Sequence, residues 1–344
     1  MTPAARAADF EQPPLALTLG EPAGVGGEIT LKAWRRCAEG GPVFFAIDHP
    51  PRLERLGEST GLAVPLTPID DPQQAAAVFP TALPVLARPL ATEPVPGEPD
   101  PANGPAVIAA IETAVALAGA GRAGAVVTNP IHKASLYEAG FGFPGHTEFL
   151  AHLAGTGGLP VMMLASPLLR VVPVTVHLGL ADAIAGLNAD LIVKTAEIVA
   201  AGLDRDFAIA RPRLAIAGLN PHAGEGGAMG SEEAEIIAPA VERLCQAGIE
   251  ARGPLPPDTL FHAAARKDYD AVLCMYHDQA LIPIKALDFD GAVNVTLGLP
   301  FVRTSPDHGT ALDIAGTGTA SEASLVAALS MAADMARRRA AAAG

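Results

Sequence analysis

Short apolar runs alternate along the chain with longer stretches of helical spacing. Leu15 to Leu19 (LALTL) reads as a buried strand, and the Gly-rich turn Gly20 to Gly27 leads into a helix that begins near Glu28. Val43 to Ile47, Gly124 to Thr128, Val161 to Leu164, Arg170 to Thr175, Arg213 to Ala217, Ala271 to Cys274 and Val293 to Thr296 are strands by the same criterion. Ala106 to Ala120, Asn188 to Ala201 and Ser231 to Ala247 carry apolar residues at 3.6-type spacing and predict helices. Ser231 followed by two glutamates predicts an N-cap with acids in the first turn. The last helix is expected to run from about Ser321 to Arg337-Arg338-Arg339, where cations suit a helix C-terminus. Between Pro65 and Pro105 the prolines crowd together, which predicts loop with short edge strands rather than repeating βα units. Strands alternating with helices imply an α/β fold with mostly parallel sheet. No Ser/Gly linker marks a boundary, so the chain either passes back and forth between two domains or forms two in succession.

Composition narrows the class. A chain of 344 residues is long enough for one large or two ordinary domains with a core that needs no disulfide or metal staple. Hydrophobic residues at 50%, charged residues at 17% and a mean hydropathy of +0.31 exclude a disordered, solvating protein. Aromatics at 4% make the core aliphatic and Ala-rich. A formal net charge of −14 repels nucleic acid and anionic membrane. An anionic substrate would therefore need a few local cations. Cys37, Cys245 and Cys274 are far apart and read as reduced thiols of a cytoplasmic protein. The first fourteen residues lack the apolar stretch of a signal peptide and predict a loose lead-in. No uncharged apolar run approaches the ~18 residues of a membrane span.

Five segments carry candidate chemistry. Glycines in Gly20-Glu-Pro-Ala-Gly-Val-Gly-Gly-Glu28 would let backbone amides approach a ligand, but the spacing meets neither nucleotide fingerprint, and a plain tight turn is the alternative. In Pro144-Gly-His146-Thr147, Thr147 is placed to cap the following helix, which leaves His146 open to a ligand role. Of nine histidines, His177, His222 and His277 each follow a predicted strand. The carboxyl ends of parallel strands are where ligands collect, so three neutral imidazoles there would make an open site for Zn²⁺ or a similar ion. Satisfied surface or core histidines are the alternative, and His49, His152 and His262 are read that way. Lys285, one of five lysines, and Arg303 both emerge from apolar runs, as anion clamps or as snorkelling surface cations. In His308-Gly-Thr-Ala-Leu-Asp-Ile-Ala-Gly316, small residues would permit close approach of a flat or phosphorylated ligand, and Asp313 could accept from a ribose. A turn with a helix cap is the alternative there.

These segments identify a resemblance. GEPAGVGGEI, TNPIHK, GHTEFLA, GLNPHAGEGG, GPLPPDTLF, YHDQALIPIK and NVTLGLPFVRTSPDHGTALDIAG, in order from about residue 20 to 316, resemble the 4-hydroxythreonine-4-phosphate dehydrogenase family. Two positions depart from the family's usual form, Glu21 in place of Asp and Gly27 in place of Pro. The resemblance implies two α/β domains of the isocitrate/isopropylmalate dehydrogenase-like type, placed at residues 10–140 with 297–344 and at 141–296. It implies a homodimer with the active site in the interdomain cleft at the dimer interface. A divalent metal (Zn, Co, Mn or Mg) would be held by His177 and His222 of one subunit and His277 of the other. Substrate would meet His146, Thr147, Lys285, Asn294 and Arg303. NAD or NADP would lie on the loop carrying His308, Gly309, Thr310 and Asp313.

The implied reaction is oxidation and decarboxylation of 4-phosphooxy-L-threonine to 3-amino-2-oxopropyl phosphate and CO₂, a step of pyridoxal phosphate biosynthesis. Negative charge develops on the substrate oxygen in both steps, which explains a metal in a nicotinamide enzyme. Asp258 and Asp278 are candidates for orienting ligands or moving protons, and Lys285 for the base. Three readings compete: a sibling dehydrogenase acting on an acid such as erythronate 4-phosphate, a metal-dependent hydrolase, and a non-catalytic binding protein.

Overall fold

The computed structural model describes residues 12–143, 145–155 and 157–343. Most of the expected N-terminal lead-in, and Pro144 of the Pro-Gly turn, lie outside the described residues. The strands in chain order are β1 (Leu15–Thr18), β2 (Phe44–Asp48), β3 (Leu66–Ile69), β4 (Leu83–Ala87), β5 (Val126–Thr128), β6 (Val161–Ala165), β7 (Arg170–Pro173), β8 (Arg213–Ala217), β9 (Glu250–Leu255), β10 (Ala271–Cys274), β11 (Val293–Leu297) and β12 (Arg303–Pro306). The chain divides into two compact units and passes between them more than once. The first runs to Gly157 and takes in Leu299–Arg337; the second is Gly158–Gly298 with the residues from Arg338 on.

In the first unit the strand order is β3-β4-β2-β1-β5-β12 and all five pairings are parallel. Strands buried on both faces read as unbroken apolar runs, which is why Leu15–Thr18 and Phe44–Asp48 are buried at every position. The helix Gly104–Gly119 packs Val107, Ala110, Ile111 and Ala114 against Ala16, Phe45, Ile47 and Val126. The segment Pro101–Gly119 is also long and apolar enough to cross a membrane by length and composition, with mean hydropathy 1.3. Its buried face belongs to the core of this unit.

The proline-rich stretch corrects the sequence expectation. Residues 65–105 contain a strand–helix–strand unit, β3, a short helix Ala75–Val78 and β4, and β4 is an interior strand between β3 and β2. Pro84 is tolerated because it precedes the pairing with β2, which begins at Val85, and Leu83 supplies the amide that bonds Pro65.

In the second unit the order is β11-β6-β7-β10-β8-β9. β6 is antiparallel to both β11 and β7, whereas β7, β10, β8 and β9 run parallel. Its core gathers Leu164, Val171, Ala215, Val272, Cys274, Ala280 and Ile284. The helix Ala189–Phe207 is longer than the periodicity predicts; the Asn188 side chain caps it by accepting from Leu191 N at 2.9 Å. The final helix, Ala323–Ala343, outruns its arginine cluster. Those cations therefore do not sit at a helix terminus. Arg339, together with Arg205, pairs with the fully buried carboxylate of Asp206 at 2.5 and 2.8 Å.

Candidate active site

The three histidines that follow predicted strands all belong to the second unit, at the carboxyl ends of β7, β10 and β8. These are sheet neighbours in that order and run parallel. Strand spacing of about 4.8 Å therefore sets the end of β10 between the ends of β7 and β8. The His177 and His277 rings lie side by side, centroids 5.9 Å apart. They line a cavity of about 260 Å³ with Thr175, Leu178, Leu180, Tyr276 and Asp278. Among the described residues no three His, Cys, Asp or Glu side chains converge to hold a metal. Within one chain His177 and His277 are brought side by side, and a set of three is not completed among the described residues.

His222 owes its position to an unusual backbone. From His222 to Gly227 six consecutive residues have φ between 42° and 96°, two turns' worth of left-handed conformation. His177 is also left-handed, at φ 54°. For a residue with a Cβ this region costs roughly 1–2 kcal/mol, so His222, Ala223 and Glu225 together store a few kcal/mol that surrounding contacts must offset. At Gly224 a Cβ would come 2.7 Å from Glu233 Oε2, so glycine leaves room for that carboxylate. His277 opens the helix His277–Leu287, and its Nδ1 is 2.7 Å from Asp278 Oδ1. That contact leaves Nε2 free to face a ligand, and neutral imidazoles of this kind are the donors that suit Zn²⁺ and Co²⁺.

The other second-unit candidates are spread out. Lys285 lies two turns along the same helix, its ammonium 5.7 Å from the Phe289 ring centroid. Asp258 is exposed in the short turn Pro257–Thr259. Asn294 lies in β11, and its Oδ1 is buried with no hydrogen-bond partner.

The first unit gathers three of the candidate substrate-binding residues. Arg303, at the start of β12, is only 3% exposed, and its Nη2 donates to Thr128 Oγ1 at 2.7 Å. Burial pushes its guanidinium down to about 10, a sign of how little water reaches it. His146 and Thr147 are the first two residues of the helix His146–Ala154. Thr147 is therefore inside the first turn and is not the cap; Gly145 takes that position. The helix start adds partial positive charge. The His146 side chain is half-buried, but its Nε2 is fully buried and has no partner. Burial, then the charges of Arg303 and Lys133, hold its imidazole well below the usual histidine range. Lys133 was not singled out from sequence; its presence in TNPIHK, in a chain poor in lysine, was the available signal.

The pH consequence has a definite sign. Folded His146 refuses the proton that the unfolded chain accepts below about 6.5. Stability of this unit falls as pH drops below that value, by up to about 1.4 kcal/mol per pH unit. Urea midpoints of wild type and H146Q, compared across that range, should converge toward acid. Parallel acid dependence in the two would remove His146 from this account.

The loop of His308 packs on the first Gly-rich turn, with Val25 N donating to Thr310 O at 3.0 Å. His308 Nε2 is buried without a partner, Ala311 is left-handed, and Asp313 is exposed in the turn Leu312–Ile314. Beside it a cavity of about 180 Å³ is lined by Pro22, Gly24, Arg52, Arg55, Ser59 and Gly316. That is room for one portion of a dinucleotide.

The profile of the family described as pyridoxal phosphate biosynthetic protein PdxA matches residues 44–332. The chain belongs to this family. It is 56% identical over 335 residues to 4-hydroxythreonine-4-phosphate dehydrogenase of Bradyrhizobium diazoefficiens, an alignment that covers 94% of this chain and 97% of that protein. With the Caulobacter vibrioides protein of the same name it shares 55% identity over 95% of this chain and 98% of the relative. The crystal structure of 4-hydroxythreonine-4-phosphate dehydrogenase from Klebsiella pneumoniae superposes with a TM-score of 0.86 at 39% identity, covering 94% of this chain and all of that one.

The two departures from the family's first motif acquire a physical setting. A Cβ on Gly27 would come 2.6 Å from Leu56 Cδ2 and 3.1 Å from Arg52 Nη1, so glycine makes room for the buried Arg52. Arg52 pairs with Asp48 at 2.7 Å and donates to Pro22 O at 2.8 Å, which ties down the turn. Glu21 is buried and accepts from Ala23 N at 3.1 Å; burial raises its carboxyl above the usual range.

Proposed function

We propose that this member of the PdxA family oxidises 4-phosphooxy-L-threonine at C3 and releases its carboxylate as CO₂, with NAD or NADP as hydride acceptor. The chain is an oxidoreductase of pyridoxal phosphate biosynthesis, and the near full-length match to relatives that carry the dehydrogenase name carries the reading. The substrate is a small phosphorylated anion, and the chain's net charge of −14 works against holding it. Arg303, Lys133 and the helix start supply the local positive charge, and His146 and Thr147 add neutral hydrogen-bonding groups. Asn294 offers a buried amide oxygen that lacks a donor, a place for a substrate hydroxyl or ammonium.

His177, His222 and His277 would hold the divalent ion, with His277 contributed by a second copy of the chain. The donor set fits, since three neutral imidazoles leave coordination positions open. When bound, the ion supplies positive charge beside the oxygen that becomes negative as hydride leaves and as CO₂ departs. Asp278 orients the His277 ring, and Lys285 or Asp258 takes the hydroxyl proton and returns one to C2 after CO₂ loss. The nicotinamide cofactor would lie on the loop His308, Gly309, Thr310 and Asp313, against the Gly-rich turn. Exposed Leu178 and Leu180, beside His177 and His277, give that cavity an apolar rim that suits a homodimer.

The test is reduced-nicotinamide formation with 4-phosphooxy-L-threonine and with erythronate 4-phosphate, each offered with NAD⁺ and with NADP⁺. Turnover with the amino acid phosphate alone is expected. Turnover with the sugar acid alone would reassign the chain to a sibling dehydrogenase.

A further inference from the structure

The three histidine-bearing segments are joined by hydrogen bonds from residues that carry no histidine. Thr175, two residues before His177, donates from Oγ1 to Met275 O at 2.8 Å. Met275, two residues before His277, donates from its amide to Gln279 Oε1 at 2.6 Å. Gln279 Nε2 then donates to Gly218 O at 2.8 Å, where the segment leading to His222 begins. From there Glu233 takes over. Its Oε1 accepts from the amides of Leu219 and Asn220 at 2.8 and 2.7 Å, and its Oε2 from Asn220 Nδ2 at 2.9 Å. Gln279 is 8% exposed and Glu233 5%.

Glu233 can reach this loop because of a local change in helix winding. Ser231-Glu-Glu predicted an ordinary helix start with acids serving the first turn. Acids do occupy that first turn, but the turn Glu233–Ile237 is π-helical, and Glu232 and Glu233 both face the loop, with Glu232 Oε2 accepting from Asn220 Nδ2 at 2.7 Å. A π turn inside a helix commonly marks a functional position. The loop it faces is the left-handed run His222–Gly227, which holds its shape only if something outside it fixes its entry.

We propose that Glu233 and Gln279 are positioning residues: they fix the left-handed loop that presents His222 and lock it to the strand ends that present His177 and His277. The inference rests on the metal reading of those histidines and adds to it the part of the chain that sets their geometry. Neither side chain is a ligand, so each acts through backbone groups that a smaller or apolar residue cannot replace.

The experiment is Co²⁺ binding to the full-length protein, followed by equilibrium dialysis and by the visible absorption of the bound ion. E233A should bind Co²⁺ at least about tenfold more weakly than wild type and shift its absorption bands, the range found when groups that orient metal ligands are removed. E233Q keeps one oxygen for the Leu219 and Asn220 amides and should recover to within about threefold. Q279M keeps bulk but breaks both hydrogen bonds, and should behave like E233A if E233A itself does not fold. Folded E233A and Q279M with wild-type affinity and spectrum would overturn the proposal alone. A loss in E233Q as large as in E233A would also overturn it, because charge and not acceptance of the two amides would then be the cause. Wild-type protein that binds no Co²⁺ would overturn the metal reading and this proposal with it.

Discussion

His222→Asn will lose metal and turnover together while the chain stays folded. Asparagine is the informative replacement because it tolerates the left-handed backbone that His222 adopts at φ 53°. The side chain is exposed, so little packing is lost. On the proposed reading one imidazole of the three would be lost, and with it the charge that opposes negative charge on the substrate oxygen. We expect kcat to fall by at least about 10³-fold, ~4 kcal/mol of barrier, with bound metal dropping in parallel and the thermal midpoint moving by no more than a few degrees. Metal content by mass spectrometry and turnover on one preparation decide it. Retained metal with retained turnover would remove His222 from the site.

Arg303→Met will weaken substrate binding while the chain still folds. The guanidinium is 3% exposed, and its pKa, pushed down to about 10, reports a charge held away from water. The substrate loses a charge-assisted contact worth about 2–3 kcal/mol, so KM should rise about 30- to 150-fold with a much smaller change in kcat. His146 will also titrate higher, since one of the two cations depressing it is gone. An unchanged KM would mean that Arg303 does not meet the substrate.

Much of the scaffold could be read from residue patterns because its strands are buried on both faces. LALTL, VFFAI and AVLC are unbroken apolar runs, and each is a strand. The strand ends bearing His177, His222 and His277 followed from the same runs. Local composition misled where position in the sheet decided the outcome. Proline made residues 65–105 look like loop, yet the imino position of Pro84 falls before the β2 pairing and costs no ladder bond. Thr147 looked like a cap because Ser and Thr usually are, but Gly145 starts the helix. Lys133 stood only as a scarce lysine within TNPIHK and Glu233 only as a first-turn acid, because what each meets, His146 and the Leu219–Asn220 amides, lies on another element. No periodicity reports a contact of that kind. The order of the strands that lead to the histidines, with β10 between β7 and β8, is likewise something the chain order does not show.

The central claim is a metal-assisted oxidation coupled to loss of CO₂. Reduced nicotinamide and released CO₂ should be measured together on 4-phosphooxy-L-threonine, in protein stripped by chelator and in the same protein resupplied with Zn²⁺ or Co²⁺. The account predicts equal amounts of the two products, no turnover in the stripped protein and recovery on adding the ion. Full turnover in metal-free protein, or reduced nicotinamide without CO₂, would contradict it.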